Sequence, residues 1–266
     1  MPTVASLHVY PIKSCRGMDL QAVRFDDLGP LYDRRFMVID EAGRFLTQRE
    51  LPRLALITPR LGPTALVLSA DGMPQLKVAM TQRDAKLREI HVWRFDGPAE
   101  DAGDGAADWF SSFLERPCRL VRWSAEAVRR VNPEHARSES FVAFTDGYPV
   151  LLMNEASVED LAKRVGQRLP MNRFRPNLVV RGAEPYAEDT WRKLRIGDLE
   201  LDVVKPCSRC AITTTDQLTG ERGKEPLATL ASYRERDGEV LLGQNCIHLG
   251  FGSVRVGDDV EVLETA

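Results

Sequence analysis

The sequence lacks the features that mark secreted, membrane-spanning and disulfide-stapled proteins. Cysteine is scarce and odd in number, with five in 266 residues, which argues against a disulfide scaffold and favours a reducing compartment. Residues 1–14 include His8 and Lys13 and lack the apolar run that a signal peptide or a transmembrane helix needs. These absences predict a cytoplasmic protein with no membrane among its partners.

A strong net charge is also missing. The chain has 36 Lys and Arg against 39 Asp and Glu, a formal net charge of −3, so no general attraction to nucleic acid is expected. Hydrophobic residues make up 43% and charged residues 28%, an ordinary balance for a folded globular chain. Any anion-binding site must therefore come from a local cluster of cations.

Short runs of β-branched and aromatic residues, broken by Gly, Pro and Asp turns, dominate the first part of the chain and predict strands. The predicted strands are 6–11, 23–26, 35–40, 54–58, 65–69, 76–78 and 89–95. Helical spacing of apolar residues predicts helices at 104–115, 155–168 and 226–234. Ser157 and Asp160 resemble a capping box for the second helix.

The second half of the chain is again rich in predicted strands, with Gly-Asp turns at Gly197 and Gly257. We therefore predict a mainly β chain of the α+β class, built as two β-barrel-like lobes with peripheral helices. The first helix marks a boundary between domains 1–118 and 119–266. Residues 125–139 are predicted to form an exposed connection.

Cys207 and Cys210 form a C-x-x-C pair that follows the predicted strand 199–204 and stands among cations. Neighbouring cations favour the thiolate form, which binds soft transition metals. The pair alone leaves several interpretations open. It could be two inert buried thiols, a thioredoxin-like redox pair, or part of a Cys₃His zinc site completed by Cys246 and His248.

Several segments combine polar or cationic side chains with turns and could bind an anion. They are residues 11–17 with Lys13 and Ser14, residues 33–36 with Arg34 and Arg35, residues 173–177 with Arg175 and Asn177, and residues 243–246 with Asn245. Strand alternation would turn one arginine of the adjacent pair inward. Arg can hold phosphate through two hydrogen bonds, and Asn can both donate and accept. Each segment alone could also be an ordinary solvated turn.

Together these segments resemble the MOSC family, in particular its members with an N-terminal β-barrel domain. That subgroup includes the amidoxime-reducing component and bacterial reductases of N-hydroxylated compounds. The resemblance covers nearly the whole chain and rests on five segments in order: residues 10–17, 172–177, 186–191, 205–214 and 224–227.

The resemblance implies a molybdenum cofactor, whose metal is bound by the dithiolene of one molybdopterin and by one protein cysteine, Cys210. The side chains that it places around the pterin and its phosphate are Lys13, Ser14, Arg35, Asp146, Arg175, Asn177, Ser208, Arg209 and Asn245. The metal and these residues would form one site.

The implied activity is reduction of N-hydroxylated bases or amidoximes with two electrons and two protons. No iron-sulfur cysteine set follows the second domain, so electrons are expected from separate flavin or iron-sulfur proteins. The family also leaves open a sulfur-transfer protein and a carrier of the cofactor. None of the four histidines is expected to be catalytic.

Overall fold

The computed structural model describes residues 1–82, 84–136 and 139–266. The strands in chain order are β1 (Thr3–Val9), β2 (Met18–Leu20), β3 (Ala22–Asp26), β4 (Gly29–Pro30), β5 (Phe36–Ile39), β6 (Thr58–Leu61), β7 (Ala65–Ser69), β8 (Leu76–Ala79), β9 (Leu87–Val92), β10 (Phe95–Asp101), β11 (Arg119–Trp123), β12 (Val150–Asn154), β13 (Leu178–Arg181), β14 (Trp191–Ile196), β15 (Leu199–Ser208), β16 (Glu235–Arg236), β17 (Glu239–Leu249), β18 (Gly252–Arg255) and β19 (Val260–Thr265).

The helices are α1 (Asp104–Leu114), α2 (Glu155–Val165) and α3 (Leu227–Arg234), and 3₁₀ turns lie at Pro52–Leu56, Met171–Arg173, Ala187–Asp189 and Ala211–Thr214. Strands outnumber helices throughout, so the predicted mainly β chain of the α+β class is confirmed. Within the described ranges, no helix combines the length and the apolar character needed to cross a bilayer.

The largest sheet runs β19-β14-β15-β17-β12-β13-β1-β2, with β16 paired to β17. A second sheet runs β5-β11-β10-β9, and two small sheets run β18-β3-β4 and β6-β7-β8. Strands are exchanged across residue 118, because β1 and β2 complete the largest sheet whereas β11 joins the sheet of β5 and β10. The division into domains 1–118 and 119–266 stays a prediction.

Two large cores hold these sheets. One lies against the largest sheet and includes Leu7, Leu152 and Leu201. The other lies beneath α1, where Trp109 and Phe110 pack among neighbouring strands. Burial of each such side chain contributes about 1.5–3 kcal/mol relative to exposure. The cores fix the strand ends that carry most of the predicted site residues.

Two local predictions were wrong. Residues 54–58 were predicted as a strand, but Pro52–Leu56 is a 3₁₀ turn with proline at its start, where the fixed φ of proline suits a helical turn. Asn154, rather than Ser157, caps α2, because Ser157 Oγ donates to the buried Glu188 instead. Residues 125–136 and 139 of the predicted connection form no helix or strand and are mostly exposed, although Arg129 is only 8% exposed; residues 137 and 138 of that segment lie outside the described residues.

Candidate functional site

One cavity, of about 580 Å³, brings together nine of the ten predicted site residues. They are Lys13, Ser14, Asp146, Arg175, Asn177, Ser208, Arg209, Cys210 and Asn245. The main chain delivers them from four places: the loop after β1, the loop before β12, the approach to β13, and the adjoining strands β15 and β17. The segments that the sequence analysis singled out therefore converge in space.

Arg35 lies outside this cavity, and Arg34 lines it instead. Arg35 Nη2 donates to Asp26 Oδ1 at 2.6 Å, whereas Arg34 Nη1 donates to Asn177 Oδ1 at 3.2 Å. One arginine of the pair does line the cavity, but β5 begins only at Phe36 and Arg34 has a left-handed backbone with φ of 47°. Neither arginine belongs to a regular strand, so strand periodicity could not choose between them.

Lys13 and Asp146 form an ion pair at the cavity wall. Lys13 Nζ donates to Asp146 Oδ1 at 2.5 Å and to the Phe144 carbonyl at 2.8 Å. Burial lowers the pKa of Lys13 to about 8, although the Asp146 carboxylate opposes this. The Asp146 carboxylate is 68% exposed, and the charge and hydrogen bond of Lys13 hold its pKa well below the usual range. Both groups are therefore charged at neutral pH.

Arg175 has a donor without an acceptor. Its side chain is buried, Nη1 donates to the Cys15 carbonyl at 2.7 Å, and its guanidinium lies 4.2 Å from the centre of the Tyr10 ring. Nη2 is buried and has no hydrogen-bond partner among the described residues. Burial, with the nearby charge of Arg34, lowers the pKa of Arg175 to about 10. An unpaired buried donor costs about 1–3 kcal/mol, so this atom is suited to an acceptor on a ligand.

Cys207 and Cys210 occupy different environments at the end of β15. Arg209 Nη1 lies 3.0 Å from Cys207 Sγ, and Arg209 Nη2 donates to the Phe174 carbonyl at 2.6 Å. Burial raises the pKa of Cys207, and Arg209 partly opposes this effect. Cys210 is partly buried at the start of a 3₁₀ turn. Its thiol makes no hydrogen bond to a described residue, and it lines the cavity.

The Cys₃His zinc interpretation is not supported. Alternation along β17 places Cys246 in the core against the largest sheet while its neighbour Asn245 lines the cavity. His248 bonds through Nδ1 to the Gly250 carbonyl at 2.9 Å. Across residues 1–82, 84–136 and 139–266, no three His, Cys, Asp or Glu side chains come together as metal ligands.

Several residues that line the cavity were not among the predicted site residues. Arg173 lay in a segment that was recognised but was not chosen. Arg49 and Trp93 come from separate loops, and the Arg49 guanidinium lies 4.9 Å from the centre of the Trp93 ring. Trp93 has φ of 57°, which costs a residue other than glycine about 1–2 kcal/mol. No motif or spacing in the sequence points to Arg49 or Trp93.

The cavity is strongly cationic within an acidic protein. Its lining holds seven Lys and Arg side chains but only two acidic ones among the described residues. Four of these cations form ion pairs with acidic side chains: Lys13, Arg34, Arg173 and Lys205. Arg49, Arg175 and Arg209 form no ion pair with any residue in the described ranges. These unpaired cations and the orphaned donor of Arg175 fit a phosphate-bearing cofactor, and the Cys210 thiol fits a soft metal.

A second cavity, of about 560 Å³, is lined mainly by residues 39–43 and 86–89. It contains none of the predicted site residues. Three of its charged side chains are already paired with residues outside its lining, because Asp40 pairs with Arg44 while Arg88 and Arg119 pair with Asp101. We therefore assign the candidate site to the cationic cavity.

Family models and relatives agree with the resemblance seen in the sequence. The MOSC N-terminal beta barrel domain matches residues 1–117, and the MOSC domain matches residues 139–261. Mitochondrial amidoxime-reducing component 1 of Mus musculus is 38% identical over 279 residues, which cover 98% of this chain and 82% of that protein. The Homo sapiens component 1 is 37% identical over 284 residues, covering 98% and 83%. Mitochondrial amidoxime reducing component 2 of Rattus norvegicus is 38% identical over 279 residues, covering 97% and 82%.

These names also correct one expectation. The predicted cytoplasmic location is contradicted, because the similar proteins are named as mitochondrial. Those similar proteins are named for the reduction of amidoximes. With matches to both of its domain models and relatives aligned over almost its full length, the chain belongs to the MOSC family.

Proposed function

We propose that this protein reduces N-hydroxylated compounds, such as amidoximes and N-hydroxylated bases, with a molybdenum cofactor held in the cationic cavity. The names of its relatives support the reaction class. The observation that carries the proposal is the convergence of Cys210, Arg175 and Arg209 on one cavity, since both arginines lack ion pairs to described residues.

In this proposal Cys210 binds the metal. Arg175 and Arg209 hold the phosphate, because both line the cavity and each has a buried guanidinium nitrogen without a partner among the described residues. Ser14 and Ser208 add hydroxyl donors at the same wall. The other predicted residues help to hold the walls of the cavity in place. Asn245, for example, donates a hydrogen bond from its Nδ2 to the Pro206 carbonyl at 3.4 Å.

Asn177 would act by fixing the strands around the cofactor. Its Oδ1 accepts from the Leu151 amide and from Arg34 Nη1, both at 3.2 Å, and its Nδ2 donates to the His8 carbonyl at 3.2 Å. The side chain therefore links β1, the approach to β13 and the strand β12. This agrees with a site assembled from segments that are distant in sequence.

Reduction of an amidoxime breaks its N–O bond, consumes two electrons and two protons, and releases water and the amidine. When bound, the metal supplies the two-electron chemistry. Lys13 Nζ is the protein atom placed to hold a proton in the cavity, because its pKa of about 8 lies near neutrality. Separate flavin or iron-sulfur proteins would deliver the electrons.

Metal analysis of matched cysteine variants tests this assignment. Wild type, Cys210→Ser and Cys207→Ser would be produced in a host that makes molybdenum cofactor, and molybdenum and zinc would be counted per chain. We expect near-stoichiometric molybdenum in the wild type and in Cys207→Ser, and its loss in Cys210→Ser. Retention in Cys210→Ser, or zinc in place of molybdenum, would overturn the proposed ligand.

Turnover of benzamidoxime with a reduced dye as electron donor tests the reaction itself. Amidine formation by the molybdenum-loaded protein is expected, and Cys210→Ser should form none. Bound molybdenum with fast exchange and no turnover would instead indicate a cofactor carrier. Persulfide on a cysteine without turnover would indicate sulfur transfer.

A further inference from the structure

Trp93 and Arg49 form a shelf on the wall of the cationic cavity that the cofactor assignment leaves unexplained. Arg49 follows the segment that carries Phe45, and Trp93 stands in the turn between β9 and β10. Both line the same cavity as Cys210. The shelf therefore joins an aromatic face and a cation to the space where the reaction is proposed.

Trp93 occupies a costly backbone position. Val92 and Phe95 are paired across the hairpin, so Trp93 is the first of only two turn residues. Its φ of 57° lies in the region that glycine adopts most easily in such turns. The centre of its ring lies 5.1 Å from that of Phe45 and 5.7 Å from Lys13 Nζ, yet 46% of the residue stays exposed. Residues held in strained backbone conformations cluster at active sites and ligand clamps.

Arg49 is a cation with unused donors. Its guanidinium stacks on Trp93 at 4.9 Å and forms no hydrogen bond or ion pair through its side chain with a described residue. Its charge does help to lower the pKa of Asp146, which lines the same cavity. A guanidinium stacked on an aromatic ring keeps the donors along its planar edge available for an acceptor.

We propose that Trp93 and Arg49 position planar, conjugated N-hydroxylated substrates that carry an anionic substituent. The conjugated system packs against the exposed part of the Trp93 ring, since offset and edge-to-face contacts between aromatic systems are favourable. The anionic group accepts from Arg49, since paired guanidinium–carboxylate bonds are strong and directional. The inference rests on the proposed function and adds the substrate class to it. Aliphatic or cationic N-hydroxylated compounds would gain less from this shelf.

Calorimetric titration of the molybdenum-loaded protein without an electron donor measures this selectivity, because no turnover occurs. The ligands are benzamidoxime and 4-carboxybenzamidoxime. We expect the carboxylate to bind about tenfold more tightly to the wild type, since an ion-assisted hydrogen bond is worth about that much. Arg49→Gln should remove the difference, and in turnover should raise the KM of the carboxylate more than it lowers kcat.

Two substitutions separate stacking from structure. Trp93→Gly relieves the backbone strain, so the melting temperature should stay near that of the wild type while both ligands bind at least several-fold more weakly. Trp93→Leu keeps apolar bulk without the conjugated face and should also weaken both. Arg53→Gln is the matched control, because Arg53 stacks on Phe113 at 4.8 Å and neither residue lines the cationic cavity.

Equal affinities of the two ligands for the wild type would overturn the proposal. A lowered melting temperature with unchanged affinity in Trp93→Gly would also overturn it, since the tryptophan would then be structural. If the wild type binds the carboxylate selectively but no electron donor supports turnover, the proposed function is wrong and the proposed substrate-binding role of Trp93 and Arg49 is retained. If turnover is seen without selective binding, only the proposed role of Trp93 and Arg49 is overturned.

Discussion

Replacing Lys13 with Met should leave the cofactor-free protein as stable as the wild type or more stable at neutral pH. Burial lowers the pKa of Lys13 from 10.5 to about 8, and at 1.36 kcal/mol per pKa unit the charged form costs ~3 kcal/mol near pH 7. Methionine matches the unbranched stem but leaves the Phe144 carbonyl without the donor now 2.8 Å away, at a cost of about 1–3 kcal/mol. The expected net gain is therefore ~0–2 kcal/mol.

The pH dependence of this gain follows from the direction of the pKa shift. Because the folded-state pKa of Lys13 lies below the unfolded value, the unfolded chain binds more protons between about pH 8 and 10.5. The free energy of unfolding of the wild type therefore rises through this window. Below about pH 8 both states hold the proton, and the cost is constant. The advantage of Lys13→Met should shrink as the pH rises.

Urea unfolding of the cofactor-free proteins at about pH 7 and about pH 9.5 measures both effects. Lys77→Met, at an exposed position of β8, is the control and should show no pH-dependent difference from the wild type. The reasoning would be refuted if Lys13→Met were less stable than the wild type by more than about 2 kcal/mol at pH 7. A difference independent of pH would refute it equally.

Three further predictions test other parts of the structure. Arg34→Gln should reduce molybdenum per chain, whereas Arg35→Gln should not, because only Arg34 lines the cavity; equal losses by elemental analysis would contradict this. Glu188→Gln should raise the urea midpoint at pH 7, since burial raises the pKa of Glu188 and its ionised form costs stability above the unfolded pKa; a lower midpoint would count against it. Gly243→Ala should destabilise by about 2–4 kcal/mol, because φ is 76° and the new Cβ would lie 2.8 Å from the Leu152 carbonyl oxygen; an unchanged thermal melt would disprove it.

The parts of the site that lie together in the sequence could be predicted. The contacts between segments that are distant in the sequence could not. Ser208, Arg209 and Cys210 adjoin one strand end, so their proximity follows from the sequence. Arg49 and Trp93 are in contact only because two loops that are distant in sequence lie together in the fold. No local sequence pattern predicts that contact. Alternation could not choose between Arg34 and Arg35, because the left-handed Arg34 breaks the periodicity that a strand would impose. The family resemblance pointed to Arg35, whereas Arg34 lines the cavity.

Strand identity was likewise easier to predict than strand partners. Alternation and β-branched residues indicate a strand wherever it forms, but the partner depends on contacts that are distant in the chain. The sheets therefore exchange strands across residue 118 although most of the strands were located correctly. The 3₁₀ turn Pro52–Leu56 was not predicted, because a short apolar run fits both a strand and a helical turn.

The exchange of strands also explains how mutually repelling cations are held together. The pairing of β1 with β13 is extended by the His8 amide, which donates to the Asn177 carbonyl at 2.9 Å. Lys13 follows this pairing on one chain segment and Arg175 precedes it on the other. Like charges in a confined cavity oppose folding, so their approach requires the burial and hydrogen bonding of the whole largest sheet. The cationic cavity is consequently a property of the assembled fold rather than of either predicted domain.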